Sequence, residues 1–250
     1  MSNINNVEAL KSIKSNIRKF GFHTYSVGQS NIPRYCYTIG LLDSEVGAEL
    51  IFAGGIFFDL KKIGIILREC KKYLSSENSS KNGSFSIANY GAFNLKTVDN
   101  TWVNLLCLGA TDYHKVSEVN FLQIIPSSEF KTLEIPNLSL PYDPIREPIW
   151  KWLSTVWNYD IPKASTAVVN LACLKGHQVT EAMRWEQDEW ELFYGAMPEV
   201  KKSDMRMIPM GTMLAIDSSL ERITQVKIGT GLWRESYQDE WNEWKPKVQV

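Results

Sequence analysis

His23, Cys36 and Asp43 are the residues of this chain whose types best suit nucleophilic chemistry. A cysteine attacks as its thiolate. It needs an imidazole within hydrogen-bond reach to take the proton, and an acid to orient that imidazole. His23 lies in Phe22-His-Thr-Tyr-Ser-Val27, shortly before Tyr35-Cys-Tyr-Thr-Ile-Gly-Leu41, so neighbouring strands would stand it beside Cys36. Against this reading, Cys36 sits mid-strand between two tyrosines, whereas activated thiolates favour helix N-termini or cationic surroundings. The four cysteines, Cys36, Cys70, Cys107 and Cys173, are far apart and form no Cys-x-x-Cys pair. They read as small buried hydrophobes carrying free thiols. His114 falls in Thr111-Asp-Tyr-His-Lys115 and His177 follows Gly176, and neither position demands a role.

Dispersed carboxylates are the other source of chemistry, since the separation of two acids is not fixed by sequence. Metal sites fare worse. There is no His-x-x-x-His helix face, and Glu186-Gln-Asp-Glu189 lacks the glycine and closing glutamate of a calcium loop. Gly54-Gly55 stands between an apolar strand and a helix, but neither phosphate-binding glycine motif is present. The sequence therefore points to no catalytic residue, no cofactor and no metal.

The elements that must position these residues can be read in order. Val7, Leu10, Ile13, Ile17 and Phe20 recur at helical steps before Gly21. A strand over 22–27 follows, then a hairpin in which Tyr35–Leu41 and Ala48–Ala53 flank the polar connection Asp43–Gly47. Leu60, Ile63, Leu67, Cys70 and Leu74 mark a second helix, with Asp59 placed to cap it. Strands are predicted near 85–97, 101–109 and 118–125, then a proline-rich exit carrying Trp150, Trp152 and Trp157. After Pro162 the pattern restarts, with strands over 167–174, 179–185 and 190–194 and a short helix over 208–216. The expected fold class is α+β, in two domains at 1–157 and 163–250. Each would be a mainly antiparallel sheet with one or a few packed helices.

Composition narrows the function classes. With 44% hydrophobic and 22% charged residues over 250 positions, the chain is an ordinary globular protein. A net charge of −1 argues against nonspecific nucleic-acid binding, which calls for a basic excess. No run is apolar enough to span a bilayer, and the N-terminus lacks a basic segment followed by an apolar one. The expected compartment is the cytoplasm. Charge is unevenly spread: residues 165–250 carry 10 Lys and Arg against 13 Asp and Glu. Glu186, Asp188 and Glu189 cluster in that part, as do Asp239, Glu240 and Glu243.

Tyr37-Thr-Ile-Gly-Leu41, followed by Gly47-Ala-Glu-Leu50 and an apolar strand ending at Gly54, resembles the bacterial domain of unknown function 4262 family. Ala48 stands where that family usually has proline. Phe121-Leu-Gln-Ile-Ile-Pro126 and Pro141-Tyr-Asp-Pro144 are similar to its closing strand and exit, which extends the resemblance over about residues 8–149. The family implies a sheet around Cys36 and supplies no catalytic residue. The second part resembles a different group. Asp188-Glu-Trp-Glu-Leu-Phe193, Asp217-Ser-Ser-Leu220 and Gly231-Leu-Trp-Arg-Glu235 with Trp241 or Trp244 are similar to immunity-protein-33-like domains, found beside polymorphic toxins. Ser218 replaces their proline. That resemblance implies a domain that binds and neutralises a cognate toxin.

Two classes of function follow. One is a non-enzymatic immunity or binding protein. It would present Glu186, Asp188, Glu189, Asp239, Glu240 and Glu243 to a basic protein toxin, with tryptophan anchors. The other is a hydrolase using Cys36 and His23, or dispersed carboxylates.

Overall fold

The computed structural model describes residues 3–28, 30–77, 79–116 and 118–246, with side chains from residue 7 onward. The chain forms two compact units, an α+β arrangement with a mainly antiparallel six-stranded sheet in each.

The first unit holds residues 1–27, 34–131 and 137–142. It contains α1 (Asn3–Phe20), β1 (His23–Val27), β2 (Tyr35–Ile39), β3 (Glu49–Ala53), α2 (Leu60–Leu74), β4 (Ser84–Ile87), β5 (Gly91–Thr97), α3 (Asn100–Leu106), α4 (Leu108–His114) and β6 (Phe121–Pro126). The strand order is β1-β2-β3-β6-β5-β4, with only β3 and β6 parallel among the described pairs. The predicted hairpin is present: Tyr35, Cys36 and Tyr37 pair with Ala53, Phe52 and Ile51. Both strands are buried on both faces. One face carries Cys36, Leu50, Phe52, Phe93, Leu95, Leu122 and Ile124 under Ile63, Ile66, Leu67 and Cys70 of α2. The expected cap is also there, with Asp59 accepting from the Lys62 amide. Under α4, Gly109 lies against the Tyr37 hydroxyl and Ile39.

One expectation for this unit needs correction. The segment 101–109 forms helices α3 and α4, not a strand. Its aromatic and β-branched residues suit a strand, but Asp99 caps the Thr101 amide, and Trp102, Val103, Leu106 and Ala110 are buried at helical spacing. The predicted first helix is present as α1, in which Ile13 is buried while Val7, Leu10 and Phe20 are 51%, 43% and 53% exposed. Ile17 finds a close contact at Gly40, where φ is +110° and a side chain would collide with it.

The second unit holds residues 28–33, 132–136 and 143–250, the last four of which lie outside the described residues. Its elements are β7 (Thr166–Asn170), α5 (Leu171–Leu174), β8 (Glu181–Arg184), β9 (Glu189–Phe193), β10 (Met205–Pro209), α6 (Met210–Ile216), β11 (Thr230–Trp233) and β12 (Asn242–Trp244), with 3₁₀ turns between them. The strand order is β10-β7-β9-β8-β11-β12. The segment 167–174, read as one strand, breaks at Asn170 into β7 and α5. Likewise 208–216 is the end of β10 followed by α6, because Pro209 closes the strand.

Trp150 and Trp152, read with the first half of the sequence, lie in the core of this second unit. The Trp150 indole donates to the Glu134 carbonyl and the Trp152 indole to the Gly211 carbonyl, each at 3.0 Å. Both rings are buried. A fragment beginning at residue 163 lacks both. Removing one core aromatic typically costs about 3–5 kcal/mol, against a total stability of about 5–15 kcal/mol for a domain. Residues 163–250 produced alone are therefore expected to show no cooperative thermal transition by circular dichroism. A sharp transition in that fragment would show that the tryptophans are dispensable.

Candidate functional site

The first unit gathers ionisable groups that the sequence did not connect. Glu49 opens β3 with its side chain fully buried. Its carboxylate accepts from the Thr38 hydroxyl at 2.6 Å, the Gly40 amide at 2.6 Å, the Leu42 amide at 3.1 Å and His114 Nε2 at 2.8 Å. His114 ends α4 with its side chain 3% exposed, and its Nδ1 lies 3.2 Å from Asp43, which is 75% exposed. Burial by itself would raise the Glu49 pKa, but the bonds from His114, Thr38 and the two amides outweigh it and hold the carboxyl below its ordinary value. The Glu49 hydrogen bond raises His114, against the pull of burial. Both groups are thus held charged, and the carboxylate has no lone pair turned to solvent. This arrangement ties the 38–42 turn and α4 to the start of β3. Its nearest sequence signal was the acid in Gly47-Ala-Glu-Leu50, since His114 enters only through the fold.

The structure separates the proposed nucleophile from its base. In the β1–β2 ladder His23 pairs with Ile39 and Ser26 with Cys36. Paired residues share a face and successive residues alternate, so His23 and Cys36 lie on opposite faces of the sheet. The Cys36 thiol donates to Ser26 Oγ at 3.4 Å, and His23 Nδ1 contacts the Asn16 side-chain amide at 2.9 Å. Asp43 contacts His114 rather than His23. All four cysteines are free and buried. Burial pushes every thiol up, that of Cys173 to about 12, where little thiolate forms.

Residues 16–129 match a family model described as Domain of unknown function (DUF4262). The matched span contains every strand of the first unit's sheet together with Glu49 and His114. It is narrower than the resemblance read from the sequence, and it stops before the proline-rich exit. No curated protein and no solved structure matches the chain.

Beyond the matched segment, the motifs of the second unit converge on a buried ion pair. Asp217 and Arg234 have side chains 2% exposed, with Arg234 Nη2 3.5 Å from Asp217 Oδ2. Arg234 also donates to the Val179 carbonyl through Nε and Nη2, to the Tyr237 carbonyl and to Ser219 Oγ. Its guanidinium lies 4.2 Å from the centre of the Trp241 ring. Asp217 accepts from the Val179 and Ser219 amides and from Ser219 Oγ. Asp217-Ser-Ser-Leu220 and the arginine of Gly231-Leu-Trp-Arg-Glu235 therefore act together in holding the core. The glycine serves the same end: a Cβ at Gly231 would overlap the Trp244 indole.

The six acids expected to meet a partner do not form one patch. Glu186, Asp188 and Glu189 are exposed around the β8–β9 tip, where Arg184 donates to the Glu186 and Gln187 carbonyls. That tip lies at the Thr230 end of β11, because Thr230 pairs with Arg184. Asp239 and Glu240 follow Trp233, at the other end, about 10 Å of strand away. Asp239 accepts from Ser236, and Glu240 bridges Arg222 at 3.1 Å. Glu243 pairs with buried Leu232 and lines a groove of about 360 Å³ with Arg222, Lys227, Lys245 and Trp241.

Strand alternation builds a different surface. Ala167, Val169, Trp190, Leu192, Ala182 and Leu232 face inward and are buried. The opposite face carries Met207 of β10, Val168 of β7, Glu189 and Glu191 of β9, Glu181 and Met183 of β8, Trp233 of β11 and Trp244 of β12. Met207, Trp233 and neighbouring Trp185 are 61%, 43% and 40% exposed. Glu189-Trp-Glu-Leu-Phe193 displays this alternation in sequence, but which of its faces is open is decided only by the packing of the other strands.

Among the described residues, no helix is long and apolar enough to cross a membrane, and no three His, Cys, Asp or Glu residues gather as a metal would need.

Proposed function

We propose that this chain is a bacterial immunity-type binding protein that captures and neutralises a basic protein toxin, through the open face of its second sheet, in the cytoplasm. The observation that carries this reading is the composition of that face. Exposed Met207, Trp185 and Trp233 stand among Glu181, Glu189 and Glu191. The exposed face of a half-buried antiparallel sheet is ordinarily polar, and exposed apolar groups rimmed by charge mark interaction surfaces. Tryptophan and methionine are enriched at the centre of interfaces, where single anchors carry much of the affinity. Carboxylates between them favour a basic partner and speed its approach at low salt. Of the acids read from sequence, Glu189 belongs to this face, with Glu186 and Asp188 at its edge.

The test is capture from the native host at low ionic strength using the full chain. The expected result is a basic protein that is toxic when expressed alone and harmless when co-expressed with this chain. A variant carrying Glu189→Lys, Met207→Glu and Trp233→Ala should lose both capture and protection. Trp233→Ala alone should cost about 2 kcal/mol of binding or more, roughly a 30-fold weakening. Retention of the same protein by the triple variant, or a captured protein whose toxicity is unchanged by co-expression, would overturn the proposal.

A further inference from the structure

The open face is not flat. Met183, Phe193, Trp185, Met197, Trp244, Glu181, Glu191 and Pro246 enclose a hollow of about 220 Å³. Met183 and Phe193 are buried to 3% and 1%, so they form its apolar floor. Trp244 is held by its packing over Gly231. Glu181 is fixed as well, since one of its carboxylate oxygens accepts from the Met197 amide at 2.8 Å. Glu191 sits across the β8–β9 ladder from Met183, and Glu181 across from Phe193. Among the described residues, neither glutamate has a basic partner.

We propose that this hollow receives the cationic side chain of an arginine or lysine from the protein partner. This rests on the binding function proposed above and names the anchor by which it works. The size is decisive. Pockets for whole small ligands run to about 300–1,000 Å³, so this hollow suits a single side chain better than a cofactor. The chemistry agrees with the size. Arginine and lysine carry long apolar stems that pack on apolar and aromatic surface while the charged head seeks anions. Here the lining is almost wholly apolar and includes two tryptophans, which suits the stem, while Glu181 and Glu191 belong to it and suit the head. Aromatic rings attract cations through their electron-rich faces, and most strongly where water is excluded. Glu181 and Glu191 add the opposite charge that a neutral hydrophobic anchor would not need. A neutral apolar residue in the same place would leave both carboxylates partly desolvated and without a counter-charge.

The test uses the full chain with blocked tripeptides, N-acetylated and amidated, of sequence Gly-X-Gly. X is arginine, lysine, citrulline or norleucine. Binding is followed through the indole N–H resonances of Trp185 and Trp244. The arginine and lysine peptides should saturate both resonances, with affinity at least tenfold above the citrulline and norleucine peptides. The double substitution Glu181→Gln with Glu191→Gln keeps the side-chain shapes and the acceptor for the Met197 amide. It should reduce arginine-peptide binding at least tenfold. Choline is a further arm, because a free organic cation would use the same chemistry. Choline binding more tightly than either basic peptide would overturn the assignment to a partner's side chain. Equal binding of the arginine and citrulline peptides, or unchanged binding by the double variant, would overturn the cation site itself. Neither result touches the capture experiment, whose variant leaves every residue lining the hollow in place. A toxin captured with undiminished affinity by the Glu181→Gln, Glu191→Gln protein would likewise sink this inference while the proposed function stood.

Discussion

Replacing His114 by alanine is expected to lower the stability of the protein by about 3–5 kcal/mol, the usual cost of removing one member of a buried charged pair. Glu49 has no access to solvent, and among the described residues His114 supplies one of its four hydrogen bonds and its only positive charge. Without the imidazole the carboxylate stays buried with three donors and no counter-charge. Glu49→Gln in the same background should recover part of the loss, because a neutral amide does not need that charge. Urea denaturation reads the effect as a shift of midpoint at unchanged slope. A loss under about 1 kcal/mol would show that water replaces the imidazole and that the cluster is not the strut described above. The pair also sets a pH dependence. His114 is raised in the folded state, so its contribution is complete below its ordinary value and is lost as pH rises through the raised one. Glu49 is lowered, so its contribution is present above the ordinary carboxylate range and is lost as pH falls through the lowered value. Stability from this cluster therefore peaks between the two. His114→Ala should remove the alkaline-side decline along with the stability.

A loss of similar size, about 3–5 kcal/mol, is expected for Arg234→Ala in the second unit. The arginine neutralises Asp217 and also gives two donors to the Val179 carbonyl, one to the Tyr237 carbonyl and one to Ser219. Arg234→Lys restores the charge but not the planar fork, so it should recover less than half of the difference. Paired unfolding curves decide this. If lysine matches arginine, charge alone holds the site and the bond geometry is incidental. Asp217→Asn with Arg234→Ala should be less damaging than the sum of the single changes, because neither then strands a buried charge.

How much of this was legible beforehand differs from residue to residue. Asp59, the α2 periodicity, the β2–β3 hairpin and the free buried cysteines could all be read directly. Each rests on spacing within one or two neighbouring elements. The same local reasoning went wrong at 101–109, which forms helices with Asp99 capping the Thr101 amide. Cys36 and His23 illustrate the limit most directly. Sequence put them on adjacent strands, which is correct, but one step of ladder register sends them to opposite faces.

The sequence by itself determined the α+β class, the β2–β3 hairpin, the Asp59-capped helix α2 and the acidic character of the last third. These follow from composition and from periods of two and of 3.6 residues, which are properties of contiguous chain. Tertiary structure alone decided which distant groups meet. It brought His114 to Glu49 across 65 positions of sequence and Arg234 to Asp217. It carried Trp150 and Trp152 into the second unit's core. It also divided the six acids between two ends of β11, and left Trp185, Trp233 and Met207 on an open face beside Glu181, Glu189 and Glu191. The reason is physical: strand order and ladder register set which side chains share a face. Both are chosen by the burial of the whole sheet, which no single stretch of sequence encodes.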